Sequence, residues 1–162
     1  MWQLLISAAL FALISDAFSD DDLEKPLRGK SNHKGNKRKK IFISFAVVDI
    51  KYRDFLVAQS KNENSPFDFV DMSVKEPWTE TIWKQKCRVK IRNCDGMIVL
   101  LSKNTWHSSG TRWEIKCARQ ERIPVVGMHI QKNDKGATPP ELIGKKIITW
   151  SWDNLDNTIK KF

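Results

Sequence analysis

One carboxylate, Glu114, stands where the sequence turns from a buried strand through a polar loop into a helix. The stretch Cys94–Glu114 reads CDGMIVLLSKNTWHSSGTRWE. In open α/β sheets ligands sit just beyond the carboxyl ends of the strands, so an acidic side chain at such a junction is where chemistry is expected. A structural role competes with that reading. Thr111-Arg112-Trp113-Glu114 also fits the capping box S/T-x-x-E, in which the glutamate only satisfies backbone N–H groups. Spacing alone does not separate the two.

Other chemistries are easier to set aside. Gly96, Gly110, Gly127, Gly136 and Gly144 stand singly, so neither a dinucleotide-binding turn nor a P-loop is supported. There is no Gly-x-Ser-x-Gly elbow and no paired Cys/His nucleophile. Cys87, Cys94 and Cys117 lie among apolar neighbours at spacings that match no zinc or redox motif, and are expected as buried thiols in a reduced compartment. His33, His107 and His129 are too far apart to suggest a metal site. Among the tryptophans, Trp83 and Trp152 are expected in the core. Trp78, Trp106 and Trp113 flank loops, where a ring either packs at a rim or stacks on a ligand.

The elements that must position these residues alternate. Ile41–Phe45 (IFISF) reads as a buried strand, and Asp49 can cap a helix with Tyr52, Phe55 and Leu56 on one face. Phe67–Val70 is a second strand, followed by a loop over Asp71–Trp78 in which Pro77 holds Glu76 extended. The helix Thr79–Asn93 sets Trp83, Cys87 and Ile91 on one stripe. Met97–Leu101 (MIVLL), a helix over Thr111–Arg122, Pro124–Ile130 and Ile147–Trp150 follow, and Asp153 can cap a last helix presenting Leu155, Ile159 and Phe162. The alternation implies a three-layer α/β domain: a mostly parallel sheet with helices on both faces.

Length and charge bound the rest. The chain has 162 residues and a formal charge of +9. Eight Lys/Arg against five Asp/Glu in residues 1–40 leave +6 on residues 41–162, so the basic bias extends into the domain. That favours anionic partners, such as nucleotides, phospholipid or nucleic acid, without choosing among them. Residues 1–19 form a hydrophobic segment whose apolar run, Met1–Ser15, falls short of the ~20 residues of a bilayer span. It reads as a signal peptide or as an anchor that associates the protein with a membrane, the first implying secretion and the second a cytoplasmic domain. Residues 20–40 read as a basic flexible linker, and 41–162 as the domain.

Several pieces form a pattern as a set. Ile41–Phe45, Lys75-Glu76-Pro77-Trp78, Cys94-Asp95-Gly96, Leu101-Ser102-Lys103-Asn104-Thr105, Arg112-Trp113-Glu114-Ile115 and Thr149-Trp150-Ser151-Trp152-Asp153-Asn154 closely resemble the TIR-like domain of the Thoeris antiphage defence proteins. The resemblance implies a flavodoxin-like fold and an enzyme that cleaves NAD at the nicotinamide–ribose bond, making a cyclic or modified ADP-ribose signal read by a downstream effector. It implies Glu114 as the catalytic residue and NAD as substrate, with no further cofactor. Ser44, Phe45 and Asp49, at the end of the first strand, would contact ribose or nicotinamide, with Trp78 and Trp113 as further substrate contacts. Partners implied are NAD and further copies of the chain through TIR–TIR contacts. After Phe45 the chain departs from the family pattern, with Ala46-Val47-Val48 where acidic or aromatic residues are common. That departure motivates an alternative, a non-catalytic TIR scaffold that binds nucleotide or self-assembles. A nucleic-acid-binding module, resting on charge alone, is the weakest reading.

Overall fold

The computed structural model describes residues 38–61, 67–72 and 78–162. The expectations for the hydrophobic segment 1–19, for nearly all of the linker and for the loop at 73–77 lie outside the described residues. The described residues 38–61, 67–72 and 79–162 group into one compact unit, and Trp78 is grouped apart from it.

Among the described residues five strands form a single sheet: β1 Lys39–Ser44, β2 Phe67–Val70, β3 Gly96–Leu101, β4 Val125–His129 and β5 Lys146–Thr149. Their spatial order is β2-β1-β3-β4-β5 and every neighbouring pair is parallel. The helices among the described residues are α1 Ile50–Ser60, α2 Glu80–Arg92, α3 Ser109–Gln120 and α4 Trp152–Ile159, with short 3-10 turns at Val47–Asp49, Thr105–His107 and Pro140–Leu142. The fold is a flavodoxin-like α/β architecture: the alternation of elements predicts its parallel sheet, and the family resemblance its flavodoxin-like form. The chain leaves β1 for β2 on one side and returns to β3 on the other, so the carboxyl ends of β1 and β3 are the topological switch point, where sheets of this kind bind ligands.

Alternation along the strands assigns the helices to faces, because successive side chains point to opposite sides. Ile41 and Ile43 pack in one apolar cluster with Leu56 of α1 and with Leu155 and Ile159 of α4. Phe42 and Ser44 point the other way, toward the layer of α2 and α3, which pack on each other. Both faces of the central strands are therefore covered, which is why MIVLL can be apolar without alternation: Gly96–Leu101 is buried throughout.

Some sequence expectations are corrected in detail. β1 begins at Lys39, two residues before the expected strand, because Lys40 is clamped to β3: its N–H donates to Asp95 Oδ2 at 2.8 Å while Asp95 N–H donates to the Lys40 carbonyl at 2.7 Å. Asp49 does not cap α1; its carboxylate is taken by the loop after β3. Phe55, expected on the buried face of α1, is 63% exposed while Leu56 is fully buried. Ser151, not Asp153, caps α4, accepting from Asn154 N–H. Trp152, expected in the core, is 42% exposed and meets Trp150 edge-on at 6.3 Å. Among the described residues no helix is long and apolar enough to cross a membrane.

Gly96 shows how closely the sheet is packed. A Cβ there would lie 2.1 Å from the Phe162 ring, so the C-terminal aromatic fills the space a side chain would need. Gly96→Ala is expected to lose about 1–3 kcal/mol of stability by expelling that ring. In a Phe162→Ala background the same substitution should cost almost nothing, and a double-mutant cycle of thermal unfolding reads the coupling.

Candidate active site

Glu114 owes its position to the period of α3. Thr111, Glu114, Ile115 and Ala118 share the buried stripe, so the spacing that seats Ile115 and Ala118 in the core also carries the carboxylate inward. The capping-box reading fails here. Ser108 is the N-cap, its side chain accepting from Thr111 N–H, and Glu114 lies well beyond the first turn.

The Glu114 carboxyl instead crosses to the sheet. Ser44, the last residue of β1, donates its hydroxyl to Glu114 Oε2 at 2.5 Å, and the Cys87 thiol of α2 points at Oε1 from 3.8 Å. Only 7% of Glu114 is exposed. Burial pushes its carboxyl up from 4.5 to about 8; the negative charge of Asp71 pushes the same way, while the bonds from Ser44 and Cys87 oppose the shift. Burial, with the Glu114 charge beside it, also raises the Cys87 thiol far above its ordinary range, so it stays protonated and able to donate.

The ends of β1 and β2 are tied together beside this carboxyl. Arg53 of α1 is buried, with its guanidinium Nε 3.3 Å from Asp71 and Nη1 3.2 Å from Asp54. The same guanidinium lies 5.7 Å from the centre of the half-buried Phe45 ring. A buried cation held by Asp71 fixes the chain just past β2, and with it the charge that acts on Glu114.

A second polar knot holds the loop after β3. Asp49 accepts from Ser102 Oγ at 2.6 Å and from Asn104 Nδ2 at 3.2 Å. Ser102 N–H in turn donates to Thr105 Oγ1, whose hydroxyl donates to the Leu100 carbonyl. Both oxygens of Asp49 are thus engaged and the residue is 5% exposed. Asp49→Ala strands the Ser102 hydroxyl and is expected to cost about 2–3 kcal/mol, read as a lower chemical-denaturation midpoint with an unchanged slope.

Of the residues singled out from the sequence, Ser44 and Glu114 are in contact, and Phe45 stands at the end of the same strand. Asp49 belongs to the loop knot. Trp113 packs on Trp83 with ring centres 5.3 Å apart and has the Lys84 ammonium 5.8 Å away. Trp106, 38% exposed, lies under the Arg112 guanidinium. Trp78 is half-buried and outside the compact unit. Sequence reasoning missed Cys87, Asp71 and Arg53 as neighbours of the site. Only Cys87 carried a signal, lying on the Trp83–Ile91 stripe that must face the sheet. Among the described residues no trio of His, Cys, Asp or Glu is grouped to hold a metal ion.

Comparison with solved structures places the fold among known ones. The chain is similar to a 2-desoxiribosyltransferase from Leishmania mexicana, with 15% identity, 75% of this chain and 97% of that one covered, and a TM-score of 0.54. It is also similar to a prokaryotic SEFIR domain, with 13% identity, 76% and 94% covered, and a TM-score of 0.50. No curated protein matches. The family described as Thoeris protein ThsB, TIR-like domain, matches residues 42–135, a span that runs from β1 through the crevice loops and Glu114 to the loop after β4. That match covers more than half of the chain, which therefore belongs to the family of Thoeris ThsB TIR-like domains.

Proposed function

We propose that this protein is an NAD-processing enzyme that cleaves the nicotinamide–ribose bond, with Glu114 as the catalytic residue. The observation that carries the reading is a buried carboxyl diverted from its own helix cap to the end of β1, where Ser44 holds it. Nothing in packing requires an acid there. A buried carboxyl held, among the described residues, by a hydroxyl and a thiol costs stability, and such groups concentrate at functional sites.

The chemistry suits the group. As the bond between the anomeric carbon and the nicotinamide nitrogen breaks, both electrons leave with the ring, which departs neutral and needs no general acid. Positive charge builds on the ribose, and an ionised Glu114 facing it stabilises that state, as carboxylates do in sugar hydrolysis. The cationic nicotinamide of bound NAD draws Glu114 toward its ionised form, offsetting the effect of burial. Ser44 orients the carboxylate. Attack by water gives ADP-ribose; attack by an atom of the same ligand, favoured where water is excluded, gives a cyclic product. Under this reading the domain faces the cytoplasm, where NAD is, works as a homo-oligomer and passes its product to an effector.

Released nicotinamide, quantified after incubating the purified full chain with NAD, tests the reading. Turnover by the wild type is expected; intact NAD after prolonged incubation, together with concentration-dependent self-association, favours the scaffold alternative instead.

A further inference from the structure

A groove lies at the same end of the sheet as Glu114, beyond the ends of β4 and β5. It is a groove of about 310 Å³ walled by Tyr52 and Phe55 of α1 and by Trp150, with His129, Gln131 and Lys132 on the β4 side. Tyr52 and Trp150 pack against the apolar cluster on the Ile41/Ile43 face, whereas Glu114 is bonded to Ser44 on the opposite face. The two sites are therefore separated by the sheet.

We propose that this groove binds a mononucleotide: a planar base between the aromatic walls, with a phosphate at Lys132. Three observations support the class of ligand. The volume falls at the low end of the ligand-pocket range of about 300–1,000 Å³, which suits a single nucleotide. Three aromatic rings around one space give the sequence-tolerant stacking surface that bases use, and Phe55 is 63% exposed, a large apolar surface otherwise left to water. The charge is complementary to an anion. Among the described residues no carboxylate lines the groove, Lys132 opens onto it, and the Lys51 ammonium lies 4.8 Å from the Tyr52 ring. The polar groups between walls and rim are those that read a base edge. The Gln131 amide donates to the Tyr52 hydroxyl, leaving its own carbonyl to accept. His129, on the β4 side, is held below its ordinary range by burial and by the charge of Lys135, a backbone hydrogen bond with Lys135 opposing the shift, and its Nδ1 is buried without a hydrogen-bond partner among the described residues. This site is independent of the NAD reading.

Calorimetric titration of the full chain with AMP tests it. One saturable site is expected, with adenosine binding more weakly and inorganic phosphate failing to compete. Lys132→Glu should weaken AMP at least tenfold and Phe55→Ala several-fold; both side chains are exposed, and unchanged melting temperatures confirm that the variants fold. Glu114→Gln should leave the affinity unchanged. The proposal is overturned by absence of saturable binding at millimolar AMP, by equal competition from inorganic phosphate, by binding indifferent to Lys132→Glu and Phe55→Ala, or by binding lost with Glu114→Gln.

Discussion

Glu114→Gln should reduce nicotinamide release from NAD by at least about 100-fold while leaving the protein folded, the scale expected when a group facing developing charge is neutralised. The amide keeps the shape and can still meet Ser44, so the loss isolates the charge rather than the packing. A merely structural Glu114 predicts the opposite pattern: turnover per folded molecule equal to wild type. Measuring activity and far-ultraviolet circular dichroism on the same samples distinguishes these outcomes.

The second large effect is on stability, and its sign is unusual for an acidic residue. Glu114 has its folded-state carboxyl raised from 4.5 to about 8, mainly by burial. Below the unfolded value both states hold the proton and the residue contributes no pH dependence. Between the two values the folded state holds a proton that the unfolded chain has released, so stability falls by about 1.4 kcal/mol per pH unit as pH rises. Above about 8 both states are ionised and the loss levels off. Glu114→Gln removes this term. Its melting temperature should match the wild type near pH 4.5 and exceed it increasingly up to pH 8, a difference of several kcal/mol at the plateau. A constant difference across pH 5–9 would show that the carboxyl titrates normally. The side chain proposed as catalytic is thus expected to be a stability liability, as functional carboxyls in apolar surroundings often are.

What was legible in the sequence follows from which signals are local. MIVLL and IFISF announce buried parallel strands because both faces of each are covered, and the alternation with helices leaves few ways to arrange them. Glu114 is legible as a candidate because it follows such a strand and lies in the Arg112-Trp113-Glu114-Ile115 piece of the family pattern; whether it caps its helix depends on Ser108, one competing hydroxyl three residues upstream of Thr111. The caps at Asp49 and Asp153 were misread for the same reason, since Ser102 and Asn104 claim the first and Ser151 supplants the second. Phe55 and Trp152 were placed inside because an aromatic at helical spacing usually packs; here they are left exposed. Arg53 and Asp71 were invisible as a pair, because only the parallel docking of β1 on β2 and α1 brings them within 3.3 Å.

The pH dependence of kcat/KM for nicotinamide release tests the central claim most directly, since it reports the ionisation of the free enzyme's essential group. The account predicts a rate that climbs with one deprotonation and flattens above about pH 8, with the climb absent from any residual activity of Glu114→Gln. A profile already level from pH 6, or a climb that survives in Glu114→Gln, would contradict it.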